Sequence, residues 1–435
     1  MPAGQGFFPL DKELELEPEG LSPSLVEGIA LLGSWMPFAE AAKIIGQFWK
    51  VSVSEATVRR TTEKSGEAYV EIQTAQVEAL EKELPEAPQG PALQQISVDG
   101  AMVPLLHKEW AEVKTLAIGT IGEAVLERGE RAVHARDMSY FSRLAEHQSF
   151  SRLATVETHR RGTESAGKVC AVMDGAEWLQ KFIDLHRPDA VRILDWCHGA
   201  EYLAKAGQAV LGAGTAAASE WLGVQLHQLK HGDPGQVLSN LRELSKELEA
   251  TGRADTDASK TLKSSLEYLQ KRQEQIRYAE FQAMGYPIGS GAVESANKLV
   301  MEARLKGSGM HWAQEHVNPM LALRTMICSD RWEEAWPQIT RRRRERTRRC
   351  AAASTDEPSF EQNLLAKNAR IQGDRKPSLT RSKETIPTNA EPGLNQTRKT
   401  PNHGPRRPAA NHPWRRMPVG RAGSPNPAPL PGAKI

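Results

Sequence analysis

Three short apolar runs, each ending in an aspartate, constrain this chain most. Residues 93–100 read LQQISVDG, residues 168–175 read KVCAVMDG and residues 190–195 read AVRILD. Each is short, rich in β-branched and aliphatic side chains, and bounded by turn-forming residues, which is how buried strands read. Helical patterns separate them, at residues 150–160 and again at 176–186. Strands alternating with helices join by right-handed crossovers and run parallel. Residues 112–121 (EVKTLAIGTI) and 131–136 read as further strands, so the expected sheet is mixed, hairpins first and β-α-β units after. In open α/β sheets chemistry collects at the carboxyl ends of parallel strands. Asp99, Asp174 and Asp195 all fall at such ends. One Asp-Gly after a strand is an ordinary turn. Three acidic residues along one sheet edge are harder to treat that way.

A fourth acidic residue lies far downstream, in GYPIGSGAVESANKLVMEARLKGSGMHW (residues 285–312). A glycine-punctuated turn, Gly289-Ser290-Gly291, leads into a helical pattern over residues 292–305. Glu294, Asn297 and Lys298 share one face of it, and Val293, Ala296 and Val300 form the apolar face. A carboxylate, an amide and an ammonium together suit a metal and a phosphate. They also suit a plain surface helix, with Glu in the first turn complementing the dipole and a Glu–Lys pair four apart.

The remainder organises around these elements. Residues 1–20 read as a disordered leader and residues 21–84 as helical. One helix starts at residues 34–37 and carries Phe38, Ala41, Ala42, Ile45 and Trp49 inward. After a short break, Ser52-Val53-Ser54-Glu55 is a capping box for the next, which presents Thr57, Arg59 and Arg60 outward. Helix, short turn and capped basic helix is the helix-turn-helix plan. Two packed helices with a solvated arginine pair would read the same. Residues 67–84 continue as an acidic amphipathic helix, expected to be a spacer or dimer contact, and PEAPQGP (residues 85–91) is a linker. Residues 200–285 are helical throughout, with core stripes such as Leu241, Leu244 and Leu248, then Leu262, Leu266 and Leu269. They form an insertion between the sheet and the Glu294 helix.

Composition bounds the function classes. Net charge is +2, but residues 341–435 hold 21 Lys and Arg against 7 Asp and Glu, leaving 35 against 47 in residues 1–340. Bulk charge therefore does not mark the body as a nucleic-acid binder, and any such contact must use local patches. Thirteen of the 27 prolines lie beyond residue 350, so residues 341–435 (opening RRRRERTRRC) read as a disordered basic, Pro-rich tail. Cys170, Cys197, Cys328 and Cys350 form no CxxC pair, which points to a reducing compartment without structural zinc. No apolar run has the length of a membrane span, and the N-terminus lacks a signal-peptide core. These features lead us to expect a cytoplasmic protein.

SVDG, AVMDGAEW, DWCH, a helical insertion and GSGAVESANK, with the downstream RLKGSGMHW, resemble DDE transposases of bacterial insertion sequences, nearest to the ISKra group of the Mutator-like superfamily. The similarity runs over residues 21–336; the tail is outside it. The resemblance implies an RNase H-like catalytic domain over residues 92–340. It implies that Asp99, Asp174 and Glu294 hold Mg²⁺ or Mn²⁺, two ions in all, which suit hard carboxylate oxygens and in-line phosphoryl transfer. It implies cleavage at the terminal inverted repeats, strand transfer to target DNA, and a homo-oligomer. Asp195 and His198 match the family's C/D-x-x-H motif, and His198 would orient a phosphate or flanking base. Lys298, Arg304 and Lys306 would contact phosphates, by position and charge alone. The rival readings are an inert DNA-binding protein and a nuclease of the same fold without strand transfer.

Overall fold

The aspartate-terminated runs form neighbouring strands of one sheet. The computed structural model describes residue 16, residues 20–127 and residues 130–355, and side chains are described except at 126–132 and 350–355. These residues lie in the unit Met1–Pro358; the unit Ser359–Ile435 is outside the described residues, as is nearly all of the expected leader.

The fold is α/β. Strands β1 (Leu93–Pro104), β2 (Trp110–Ile121), β5 (Ala135–Leu144), β6 (Lys168–Met173) and β7 (Val191–Leu194) form a mixed sheet in the order β5-β2-β1-β6-β7. β3 (Val125–Glu127) and β4 (Glu130–Ala132) form a separate two-strand ribbon. β2 is antiparallel to β1 and β5, while β6 is parallel to β1 and β7 to β6. Without the ribbon, this is the strand order 3-2-1-4-5.

Helices cover both faces. On one, α3 (Glu55–Glu83), α4 (His147–Arg160) and α5 (Glu177–His186) pack Val77, Phe150 and Phe182 against Ile96, Leu116 and Phe141. On the other, the insertion lies over β6 and β7. Its helices are α6 (Trp196–Leu211), α7 (Ala216–His231), α8 (Pro234–Ala250), α9 (Asp257–Lys271) and α10 (Tyr278–Ala283). The Leu241, Leu262 and Leu269 stripes meet Val172 and Ile193 there, as core. Beside the insertion, α11 (Gly291–Ala296), a π-helical turn (Asn297–Glu302), α12 (Ala303–Leu305) and α13 (Gln314–Cys328) bury Val293, Ala296, Val300 and Met320 against β1, β2 and β5.

The N-terminal segment comprises α1 (Pro23–Trp35), α2 (Phe38–Phe48) and α3. The cap falls on Ser54 and not on Ser52 as the expected capping box requires: Ser54 accepts the Thr57 amide at 3.0 Å, and Glu55 opens the helix. α3, however, is one continuous helix of 29 residues, so residues 67–83 are its second half and not a separate helix. It buries Ala68 and Tyr69 against Ala322, Leu323 and Trp336.

Two further expectations are corrected. The third strand of the main sheet is β5, which takes in only residues 135 and 136 of the expected 131–136 and runs on to Leu144. The arginine run is not the start of a disordered tail but belongs to α14 (Trp332–Thr355). Arg342 donates to Glu71 at 2.8 Å, Arg346 to Glu67 at 2.6 Å and Arg343 to Ser65 at 2.7 Å. The acidic face of α3 thus gives the basic run a folded partner that composition alone does not reveal. Among the described residues no helix is long and apolar enough to cross a membrane.

Candidate active site at the strand ends

The pairing register aligns the three aspartates. Ile96 pairs with Ala171 and Met173 with Leu194. Carried on in step, Asp99, Asp174 and Asp195 fall in one row across β1, β6 and β7. Strand spacing of about 4.8 Å makes this row about 10 Å long. β1 runs on past Asp99, paired with β2 as far as Pro104, so Asp99 stands mid-strand at the point where its parallel neighbour ends.

Segment 290–297 crosses this row. At one end the Ser290 amide donates to Asp195 Oδ1 at 2.6 Å; at the other, Asn297 Nδ2 donates to Asp99 Oδ2 at 2.9 Å. Seven residues of helical rise also cover about 10 Å, so Glu294 sits midway along. Its carboxylate is exposed and its Oε1 accepts from Ser290 Oγ at 3.2 Å. Asn297 is buried, and the π-helical turn begins at it; such turns recur at functional sites. Ser290 is a contributor read in the sequence only as part of a turn, whereas Asn297 is the amide that helical spacing puts beside Glu294.

Asp99 is half-buried, and burial pushes its carboxyl above the ordinary aspartate range. The Gly100 amide pulls it back, the charge of Asp174 raises it again and His198 lowers it, so these groups share one field. Glu112 also raises it. Glu112 in turn accepts from Lys114 Nζ at 2.8 Å, a buried lysine that also donates to the Ala145 carbonyl at 3.0 Å. Nothing in the pattern of 112–121 singled out this pair.

Asp174 caps its own turn: Oδ1 accepts the Ala176 amide at 2.7 Å. It opens onto a cleft of about 350 Å³ lined also by His198, Tyr202, Lys205, Tyr268 and Arg272. A larger cavity of about 540 Å³ lies along Gly289, Gly291 and Ser295 and is lined by none of the acidic residues.

Asp195 is different. It is fully buried, and both oxygens are committed to backbone amides, Oδ1 to Ser290 and Oδ2 to His198 at 3.1 Å. It caps α6 and ties the segment carrying Glu294 to the end of β7. A buried carboxylate so engaged holds the site together, an auxiliary role, and leaves no oxygen free. The His198 imidazole is not bonded to it; the ring is partly exposed, with Nδ1 3.9 Å from Glu201.

The basic candidates separate. Arg59 and Arg60 are exposed in the first turns of α3, and Lys298 is exposed beyond Asn297. Lys306 pairs with Glu302 at 2.9 Å. Arg304 is a correction: it is buried, donates to the Gly33 carbonyl at 2.9 Å, and lies over the rings of Phe38 and Trp312 at 4.6 and 5.2 Å. Burial lowers its pKa to about 10. It fastens the N-terminal helices to the Glu294 segment and cannot reach a phosphate.

Among the described residues, no three His, Cys, Asp or Glu side chains close around one point as a metal cage does. The donor chemistry nevertheless fits a hard divalent cation: Asp99 and Asp174 are oxygen donors, and the charge of Asp174 adds to the cost of ionising Asp99, which a cation would relieve. No family model matches the chain, and no curated protein matches it either.

Proposed function

We propose that this chain is a DDE transposase with an RNase H-like catalytic domain, cutting DNA at the ends of a mobile element and joining the freed ends to target DNA. The observation that carries this reading is the acidic row at the ends of adjacent parallel strands, crossed by the segment bearing Glu294. The strand order 3-2-1-4-5, the order expected of an RNase H-like sheet, supports it. Asp99, Asp174 and Glu294 would hold Mg²⁺ or Mn²⁺, which supplies an activated attacking oxygen and neutralises the leaving one. Asn297 orients Asp99, and Asp195 fixes the approach of the Glu294 segment. His198, which lines the cleft with Asp174, would orient a phosphate. Arg59 and Arg60, on a capped helix, would read terminal DNA.

The test is cleavage of DNA carrying the element's ends in Mg²⁺ or Mn²⁺. Asp99→Asn and Glu294→Gln should each abolish it while leaving DNA binding intact. Cleavage that survives both changes, or that proceeds without a divalent metal, contradicts the proposal. Hydrolysis without joined products would favour a nuclease instead.

A further inference from the structure

We infer that Tyr268 and Arg272, at the end of insertion helix α9, are positioning residues that set the turn carrying Asp174; the inference rests on the metal-dependent reading above. Gly175 is gripped from both sides. Its N–H donates to Tyr268 Oη at 3.2 Å, and its carbonyl accepts from Arg272 Nη2. Arg272 Nη1 also donates to the Tyr268 carbonyl at 3.0 Å, so the two grips move together. The Arg272 guanidinium lies 3.7 Å from the Tyr268 ring, which stacks on Tyr202 at 3.7 Å and 11°, with Lys205 4.9 Å from Tyr202. Two cations thus cap a pair of stacked rings, and Arg272 is buried in that arrangement.

The grip acts on Asp174 through one short turn. Asp174 Oδ1 is held by the Ala176 amide, and Gly175 lies between the two. A Cβ on Gly175 would overlap Arg272 Nε and Tyr268 Oη, so the glycine is required by this approach and not by a special backbone angle. Apolar stripes alone would dock the insertion on the sheet with some freedom to slide. Hydrogen bonds to both backbone groups of Gly175, one on each flanking peptide, remove that freedom at the residue beside the carboxylate. Groups that orient metal ligands in this way commonly alter metal affinity when lost.

Two readouts on the full-length protein test this: hydrogen exchange of the peptide covering residues 172–178, and Mn²⁺ binding followed by electron paramagnetic resonance. Tyr268→Phe keeps the ring stack and removes the acceptor for the Gly175 N–H. It should speed exchange in that peptide about fivefold and weaken Mn²⁺ binding about tenfold, with terminal-DNA affinity unchanged. Arg272→Met should do the same, and Arg272→Lys should recover part of the loss; if the Arg272 variants fail to fold, Tyr268→Phe decides. Wild-type protein that takes up no Mn²⁺ overturns the metal site itself. Wild-type uptake that Tyr268→Phe leaves unchanged overturns the positioning role alone.

Discussion

Asp174 and Asp195 end neighbouring parallel strands in the same register, yet the two ends of the acidic row do different work. At the Asp99–Asp174 end the carboxylates are half-buried, share one field and open onto a cleft. At the Asp195 end the carboxylate is sealed, with both oxygens on backbone amides. Each aspartate closes a short apolar run in the sequence; the difference is how much hydrogen-bonding capacity the fold leaves open. The arginines divide in the same way. Arg59 and Arg60 face solvent, while Arg304 and Arg324 are buried and donate to the carbonyls of Gly33 and Ser34. Charge makes a site only where its partners are not already inside the molecule.

The sharpest way to break this comparison is to remove one carboxylate from each end. Asp174→Asn should reduce end cleavage to background. Asp195→Asn should leave residual turnover with unchanged metal dependence, and should destabilise the fold by about 2 kcal/mol, because an amide cannot accept from both Ser290 and His198. Thermal unfolding beside a cleavage assay reads both effects.

The arginines give the next test. Arg304→Ala removes a buried hydrogen bond and two ring contacts and should cost about 3 kcal/mol. Arg59→Ala with Arg60→Ala should change stability by less than about 0.5 kcal/mol. The pair should weaken binding to terminal DNA far more than to random DNA. Equal loss on both DNAs would make them phosphate contacts only.

The smallest effect concerns pH. Burial, with Asp174 adding, raises the Asp99 carboxyl. A raised carboxyl is better accommodated protonated, so its contribution is fully present below the ordinary value of about 3.9 and is lost as pH rises through the raised one. Asp99→Asn should therefore unfold at a higher temperature than the wild type at pH 7. The two should converge as pH falls toward 4. A variant less stable at neutral pH would show that burial of Asp99 carries no such penalty.

Much of the frame was legible because period and turn chemistry act locally: the apolar strands that carry the aspartates, a serine-capped start for α3, and the helical pattern that carries Glu294 and Asn297. What was not legible depends on partners far along the chain. β5 escaped notice because its buried positions include Ser139, Ser142 and Arg143, which break the apolar alternation; Arg143 donates to Gln73 on α3. Arg304 reads as a surface base until Phe38 and Gly33 cover it. The arginine run reads as disordered until Glu67 and Glu71 answer it. Tyr268 and Arg272 lie beside a leucine stripe that accounts for α9 without them.

Direct Mn²⁺ binding tests the central claim most closely, since it needs no DNA substrate. Electron paramagnetic resonance of free Mn²⁺ should show uptake by the wild type, loss of that uptake in Asp174→Asn, and retention in Asp195→Asn. Uptake kept by Asp174→Asn and lost in Asp195→Asn would place the metal at the sealed end of the row and contradict the account.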